Sequence, residues 1–312
     1  MSLRAGRGLA VLHDGRIPVP TRSRASARWM VALALGAGAV FVANYAVMVW
    51  TDAGRTLADH AYYGRPVGTL DGAVRGKLLF KMGLGPERAA QMAVVIFGLG
   101  LFSRRIVVAV VAAGSFSVAV AAAQVFKEVL PQSSAGAIYG VPEDVPVPWY
   151  PSGHVTTVTA FALSLVLVAG TRWRPAVAVA GAGVASIMTS ATLAIGAHRP
   201  EDSVGGIALA TACLAGGAAI ILRGSDTVHP APRGVSYLLP GGLVVLVLGG
   251  IWDARHLFGE DAQRLVDDLA PWAYPVASVT LQVSAVAAVC GYAWLLRDVS
   301  HRRGRELGST GS

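Results

Sequence analysis

Long apolar blocks separated by short polar breaks set the pattern of this chain. A spanning helix needs about 20 mostly apolar residues. Eight stretches meet or approach that length: Trp29 to Trp50, Ala89 to Phe102, Ile106 to Phe126, His154 to Gly170, Pro175 to Ile195, Val204 to Leu222, Val235 to Ile251 and Trp272 to Leu296. The second is short and must borrow Pro86 to Gln91 to reach across. The pattern predicts an all-α, polytopic transmembrane helix bundle. Residues 1–28 read as a disordered cytoplasmic tail, 29–223 as a six-span core, 224–297 as two additional C-terminal spans and 298–312 as a second cytoplasmic tail. The first block is too long for a cleavable signal and follows a long Arg-rich leader, so it is expected to stay as the first span. Gly181, Gly183, Gly205, Gly206, Gly216 and Gly217 would let helices approach closely; a biased composition accounts for them equally well.

Composition agrees with lipid rather than water as the surroundings. Hydrophobic residues make up 54% of the chain and charged residues 14%, about half the charged share of a soluble domain. The net charge of +8 raises the question of a nucleic-acid partner, and the placement of the charge answers it. With the N-terminus inside, the short inner segments hold Arg104 and Arg105, Arg172 and Arg174, Arg223 and Arg233, then Arg297, Arg302, Arg303 and Arg305. The last outer loop holds Asp253, Glu260, Asp261, Asp267 and Asp268. That is the positive-inside distribution. It accounts for the basic charge without nucleic acid and predicts a plasma-membrane protein with both termini cytoplasmic. The loop from Thr51 to Arg88 is discordant, with six basic residues among its acids. Cys213 and Cys290 lie inside apolar blocks and read as packing residues, with no disulfide or metal role.

Three polar stretches interrupt the middle of the chain, and the topology puts all three on the outer face. Lys127 and Glu128 end the third span. Ser152, Gly153 and His154 open the fourth. His198, Arg199, Glu201 and Asp202 lie in the turn between the fifth and sixth. A phosphate ester needs cations and N–H donors around its oxygens, a nucleophile, and an acid for the leaving group. Lys127 offers charge. Pro151-Ser152-Gly153-His154 opens a helix whose first N–H groups favour an anion, and Gly153 permits close backbone approach. Of two histidines, one can attack phosphorus and the other protonate the leaving oxygen. Asp202, four residues after His198, can hold that ring in one tautomer if the turn is helical. No metal-ligand set is evident, and no cofactor is expected.

The Pro151-Ser152-Gly153-His154 string, followed by His198 and Asp202, resembles the type 2 phosphatidic acid phosphatase family, related to vanadium haloperoxidases and bacterial acid phosphatases. The resemblance covers roughly spans one to six and implies a six-helix phosphatase-like core. It implies His198 as the nucleophile forming a phosphohistidine, Asp202 as its orienting partner and His154 as the general acid. Lys127, Ser152 and Gly153 would bind the substrate phosphate. Two family arginines are missing. The first motif has Gln132 and Ser133, or Ser134 and Ala135, where the family has Arg-Pro, and the third has Ala191 and Thr192 where it has Ser-Arg. Such charge-assisted donors are worth several kcal/mol in a transition state. Arg199, or an arginine of the Thr51–Arg88 loop, could substitute.

The expected activity is metal-independent hydrolysis of a lipid phosphate ester or pyrophosphate, of the phosphatidic acid or polyprenyl phosphate class, with membrane lipids around it and no nucleic acid. A catalytically impaired relative that binds or transports a lipid phosphate is the alternative, and a phosphotransferase a third. Blander accounts stand beside each residue: His154 as an interfacial cap, Lys127 snorkelling at a span end, Ser152 as an N-cap and Asp202 as a cap for the next helix. Trp149, Tyr150 and Trp272 read as interface aromatics. His60, His229, His256 and His301 show no partner pattern.

Overall fold

A computed structural model describes residues 21–65, 85–132, 150–223 and 260–297, with side chains from 26 and from 270 in the first and last helices. The described elements are all helices: α1 (Thr21–Trp50), α2 (Asp52–Tyr63), α3 (Pro86–Phe102), α4 (Ile106–Val129), α5 (Gly153–Val168), α6 (Arg174–Ala194), α7 (Pro200–Arg223) and α8 (Glu260–Leu295). The polytopic helical bundle expected from the hydropathy pattern is therefore the observed class. Five helices are long and apolar enough to cross a membrane, in α1, α4, α6, α7 and α8. α3 and α5 are shorter, at 17 and 16 residues. At about 1.5 Å per residue each covers roughly 25 Å, slightly less than a hydrocarbon core of about 30 Å.

Two expectations change. The first helix begins at Thr21, so residues 21–28, expected in a disordered tail, are helical. The discordant Thr51–Arg88 loop contains α2, whose N-cap Thr51 accepts a hydrogen bond from the Gly54 N–H. The expected span Val235 to Ile251 lies outside the described residues.

α7 is the central helix. Of its spanning window 72% is buried, against 22% for α1 and for α8. α1 runs along α7, α8 runs along α6, and α4 and α5 also pack on α7. Close approach follows from small residues where they face a neighbour. A Cβ on Gly206 would lie 2.9 Å from the Ser152 carbonyl oxygen, and one on Gly181 2.9 Å from the Ala162 Cβ. Gly183 and Gly216 face open space, so composition alone explains those two. Large apolar side chains such as Leu35, Val94, Phe102, Val179 and Val283 point outward, as a bundle in lipid requires and one in water does not.

At the end of the bundle away from the polar stretches, Arg174 is buried. Its guanidinium donates to the carbonyls of Val166, Ala169 and Leu296. These close the C-terminal ends of α5 and α8, whose last carbonyls have no partner within their own helices.

Candidate active site

The turn carrying His198 is built by two helix ends. α6 stops at a Schellman motif. Gly196 takes φ of +70°, its N–H reaches the Leu193 carbonyl, and the Ala197 N–H reaches that of Thr192. Glycine suits this position because the left-handed region is strained for other residues. α7 then starts with Pro200 in its first position, where a missing N–H costs nothing. The Asp202 carboxylate reaches back to the Arg199 N–H at 3.1 Å, the returning half of a capping box. The same oxygen lies 3.3 Å from His198 Nδ1. A carboxylate accepts, so Nδ1 is the donor of this pair, and in the neutral ring Nε2 keeps the lone pair. Cap and histidine partner, weighed as alternatives for Asp202, are one interaction set.

The other two polar stretches come to this turn. The Ser152 N–H donates to the Asp202 carbonyl at 2.8 Å, which ties the start of α5 to the start of α7. Ser152 Oγ accepts from the Val155 N–H as the N-cap of α5. The N–H groups of Gly153 and His154 occupy the first turn of α5, where no intrahelical acceptor exists. The His154 ring centroid is 6.1 Å from that of His198, at 60° between planes. The two imidazoles are thus neighbours at the same helix junction. Lys127, in the last turn of α4, lies over the helix start: a Cβ on Gly153 would be 2.8 Å from Nζ. The missing Cβ at Gly153 makes room for that ammonium.

Arg199, expected among the phosphate-binding cations, is turned elsewhere. It is 1% exposed, and its guanidinium lies 2.7 Å from Asp59 of α2 and 4.0 Å from Glu201. Burial pushes the Asp59 carboxyl up, and the Arg199 charge opposes that shift. Arg199 thus binds α2 to the His198 turn. α2 also brings a different arginine. The Tyr62 hydroxyl donates to the Gly196 carbonyl at 2.7 Å. Arg65 stacks 4.2 Å over the Tyr62 ring. A Cβ on Gly196 would lie 2.7 Å from Arg65 Cζ.

Asp59, Tyr62 and Arg65 were not singled out as site residues from sequence. The readable signal was the N-cap Thr51-Asp52 with Leu57, Ala58 and Ala61 on one helical face; which face met the His198 turn was not readable. At the third motif, Ala191 and Thr192 are both buried, and the Thr192 carbonyl accepts the turn's N–H groups. At the first, Gln132 accepts from the Tyr150 N–H at 2.8 Å and donates to the Leu130 carbonyl at 2.9 Å. Tyr150, expected at the interface, is 1% exposed. Burial raises its phenol, which stays a donor and reaches the Phe41 carbonyl at 2.7 Å. Trp272 is exposed and Trp149 lies outside the described residues. Among the described residues no three His, Cys, Asp or Glu side chains are grouped to hold a metal ion.

Fold and site together define a membrane helical bundle with a polar, cation-bearing cluster where helix ends meet. Residues 104–224 match the PAP2 superfamily, the phosphatase family that the motif residues resemble. The match spans α4 to α7 and contains Lys127, Ser152, Gly153, His154, His198, Arg199 and Asp202; it starts at the third expected span rather than the first. α1, α2, α3 and α8 lie outside it. No curated protein and no solved structure matches the chain.

Proposed function

We propose that this protein hydrolyses a lipid phosphate ester or pyrophosphate at the outer surface of the plasma membrane through a phosphohistidine. The observation that carries the reading is the His154–His198 pair, with Asp202 fixing one ring and Lys127 over the adjacent helix start. His198 Nε2 attacks phosphorus as the P–O bond to the lipid breaks. His154 gives a proton to the departing oxygen, the negative charge of the bound phosphate favouring its protonated form against the burial and the His198 and Lys127 charges that disfavour it. Water then attacks the phosphohistidine, His154 takes a proton from it, and the P–N bond breaks to release inorganic phosphate. Lys127 and the N–H groups of Gly153 and His154 face the developing charge. Arg65 supplies the guanidinium whose usual motif positions are vacant in this sequence. Ser152 shapes the helix start, and Arg199 positions the His198 turn through Asp59.

The test is phosphate release by purified protein from a panel of lipid phosphates. His198→Ala should abolish it, and labelled enzyme should carry an acid-labile phosphate only when His198 is present. Full turnover by His198→Ala would remove the mechanism. His154→Ala should lose about 10²–10⁴-fold in kcat, and less on an aryl phosphate whose leaving group needs no proton. The vacant motif arginines, with Arg199 held by carboxylates, favour one rival reading: a relative that binds or transports a lipid phosphate. Saturable binding without release from any member of the panel would select it.

A further inference from the structure

Near the candidate active site, α1, α2, α8 and the start of α7 border a half-open cavity of about 290 Å³. Its walls are apolar over most of their area, with Met48, Leu57, Ala61, Val276 and Leu281 among the lining residues. Its polar end is formed by Asn44 and Glu201. Glu201 adjoins Asp202 in the first turn of α7 and is three residues from His198, so this end is the part of the cavity nearest along the chain to the phosphate-handling turn. Glu201 is 2% exposed, and its Oε2 has no hydrogen-bond partner among the described residues. A buried carboxyl oxygen in that state costs free energy until a donor reaches it. The far wall carries Trp272, 65% exposed on the outer side of α8. The volume is near the lower limit of small-molecule sites, which begin at about 300 Å³. It suits one hydrocarbon chain rather than two. α2 and α8, which make two of the walls, lie outside the family match.

We infer that this cavity receives the hydrocarbon chain of a single-chain lipid phosphate whose head sits at His198 and whose polar backbone meets Glu201. The identity of the head rests on the phosphatase reading; the chain site does not. Each methylene moved from water into such a wall is worth about fourfold in affinity. Binding should therefore strengthen with chain length until the cavity is full.

The probe is an octyl phosphate carrying a photoreactive diazirine at the chain end, added to the full-length protein in bilayer discs. Adducts are expected within residues 57–61 and 272–281. Excess inorganic phosphate should suppress them, and Ala277→Trp, at a half-buried wall position, should remove most of them. Adducts confined to outward-facing residues such as Val94 and Val179 would overturn the proposal. So would cavity adducts indifferent to phosphate, since any bilayer chain could then enter. Phosphate release is measured on the same samples. Phosphate-sensitive cavity adducts without release would keep the chain site and remove the hydrolase, whereas release with adducts elsewhere would do the reverse.

Discussion

At the scale of single residues, what could be read from the sequence was what neighbours in sequence decide. His198 and Asp202 are four apart, and the start of a helix brings such a pair together whatever the rest of the fold does. Ser152 capping α5 is equally local. The pairing of Arg199 was not readable, because its partner Asp59 is 140 positions away in a helix the hydropathy pattern did not mark. The Asp59–Arg199 pair is almost fully buried, so removing Asp59 takes from a buried guanidinium its closest carboxylate and leaves Glu201 at 4.0 Å. Asp59→Ala is expected to cost about 3–5 kcal/mol of stability, seen as a lower unfolding midpoint in detergent. The double variant Asp59→Leu, Arg199→Met should recover much of that stability while losing activity, because the His198 turn is no longer held. Equal midpoints for the single and double variants would mean the pair is uncoupled. Arg65 gives a second measurement. If its guanidinium meets the substrate anion, Arg65→Ala should lower kcat/KM by about 10²-fold and Arg65→Lys by less. The unfolding midpoint should move little, since this side chain is only half-buried.

At the scale of elements, the type and position of the described long helices were legible because apolar length is a direct physical demand of the bilayer. The helix α2 was not, since a helix of twelve residues with mixed polarity carries no such signature. Helix contacts were legible only as a list of small residues, and a glycine's role depends on what stands opposite. That distinction can be measured. Gly206→Ala would press a Cβ against the Ser152 carbonyl and Thr156, which forces α5 from α7 at the point where Ser152 and His154 are set. A lower unfolding midpoint and a drop in kcat are expected together. Gly216→Ala meets nothing within 4 Å. It should be neutral or stabilising by up to about 1 kcal/mol, the difference in helix propensity. If both variants behave alike, the α5–α7 contact does not govern the site.

At the scale of the whole molecule, the polar stretches gather at one end of the bundle, and the Arg174 clamp on α5 and α8 marks the other. Basic residues on the turns at that second end, Arg104, Arg105, Arg172 and Arg223, support a cytoplasmic assignment for it. Arg174 is a weaker witness than its sequence position suggested, because it is buried against carbonyls and serves packing first. The orientation therefore rests on the exposed Arg104, Arg172 and Arg223, and it can be tested without reference to activity. Ala197 is exposed in the turn beside His198, and Ser103 ends α3 at the opposite end. In intact cells, a membrane-impermeant maleimide should label Ala197→Cys, whereas Ser103→Cys should react only after permeabilisation. The native Cys213 and Cys290 are half-buried within spanning helices, so the parent protein sets a low background. The reverse pattern would turn the His198 end of the bundle to the cytoplasm. The arrangement of imidazoles and cations would be unchanged, but the lipid phosphate would then have to come from the inner leaflet.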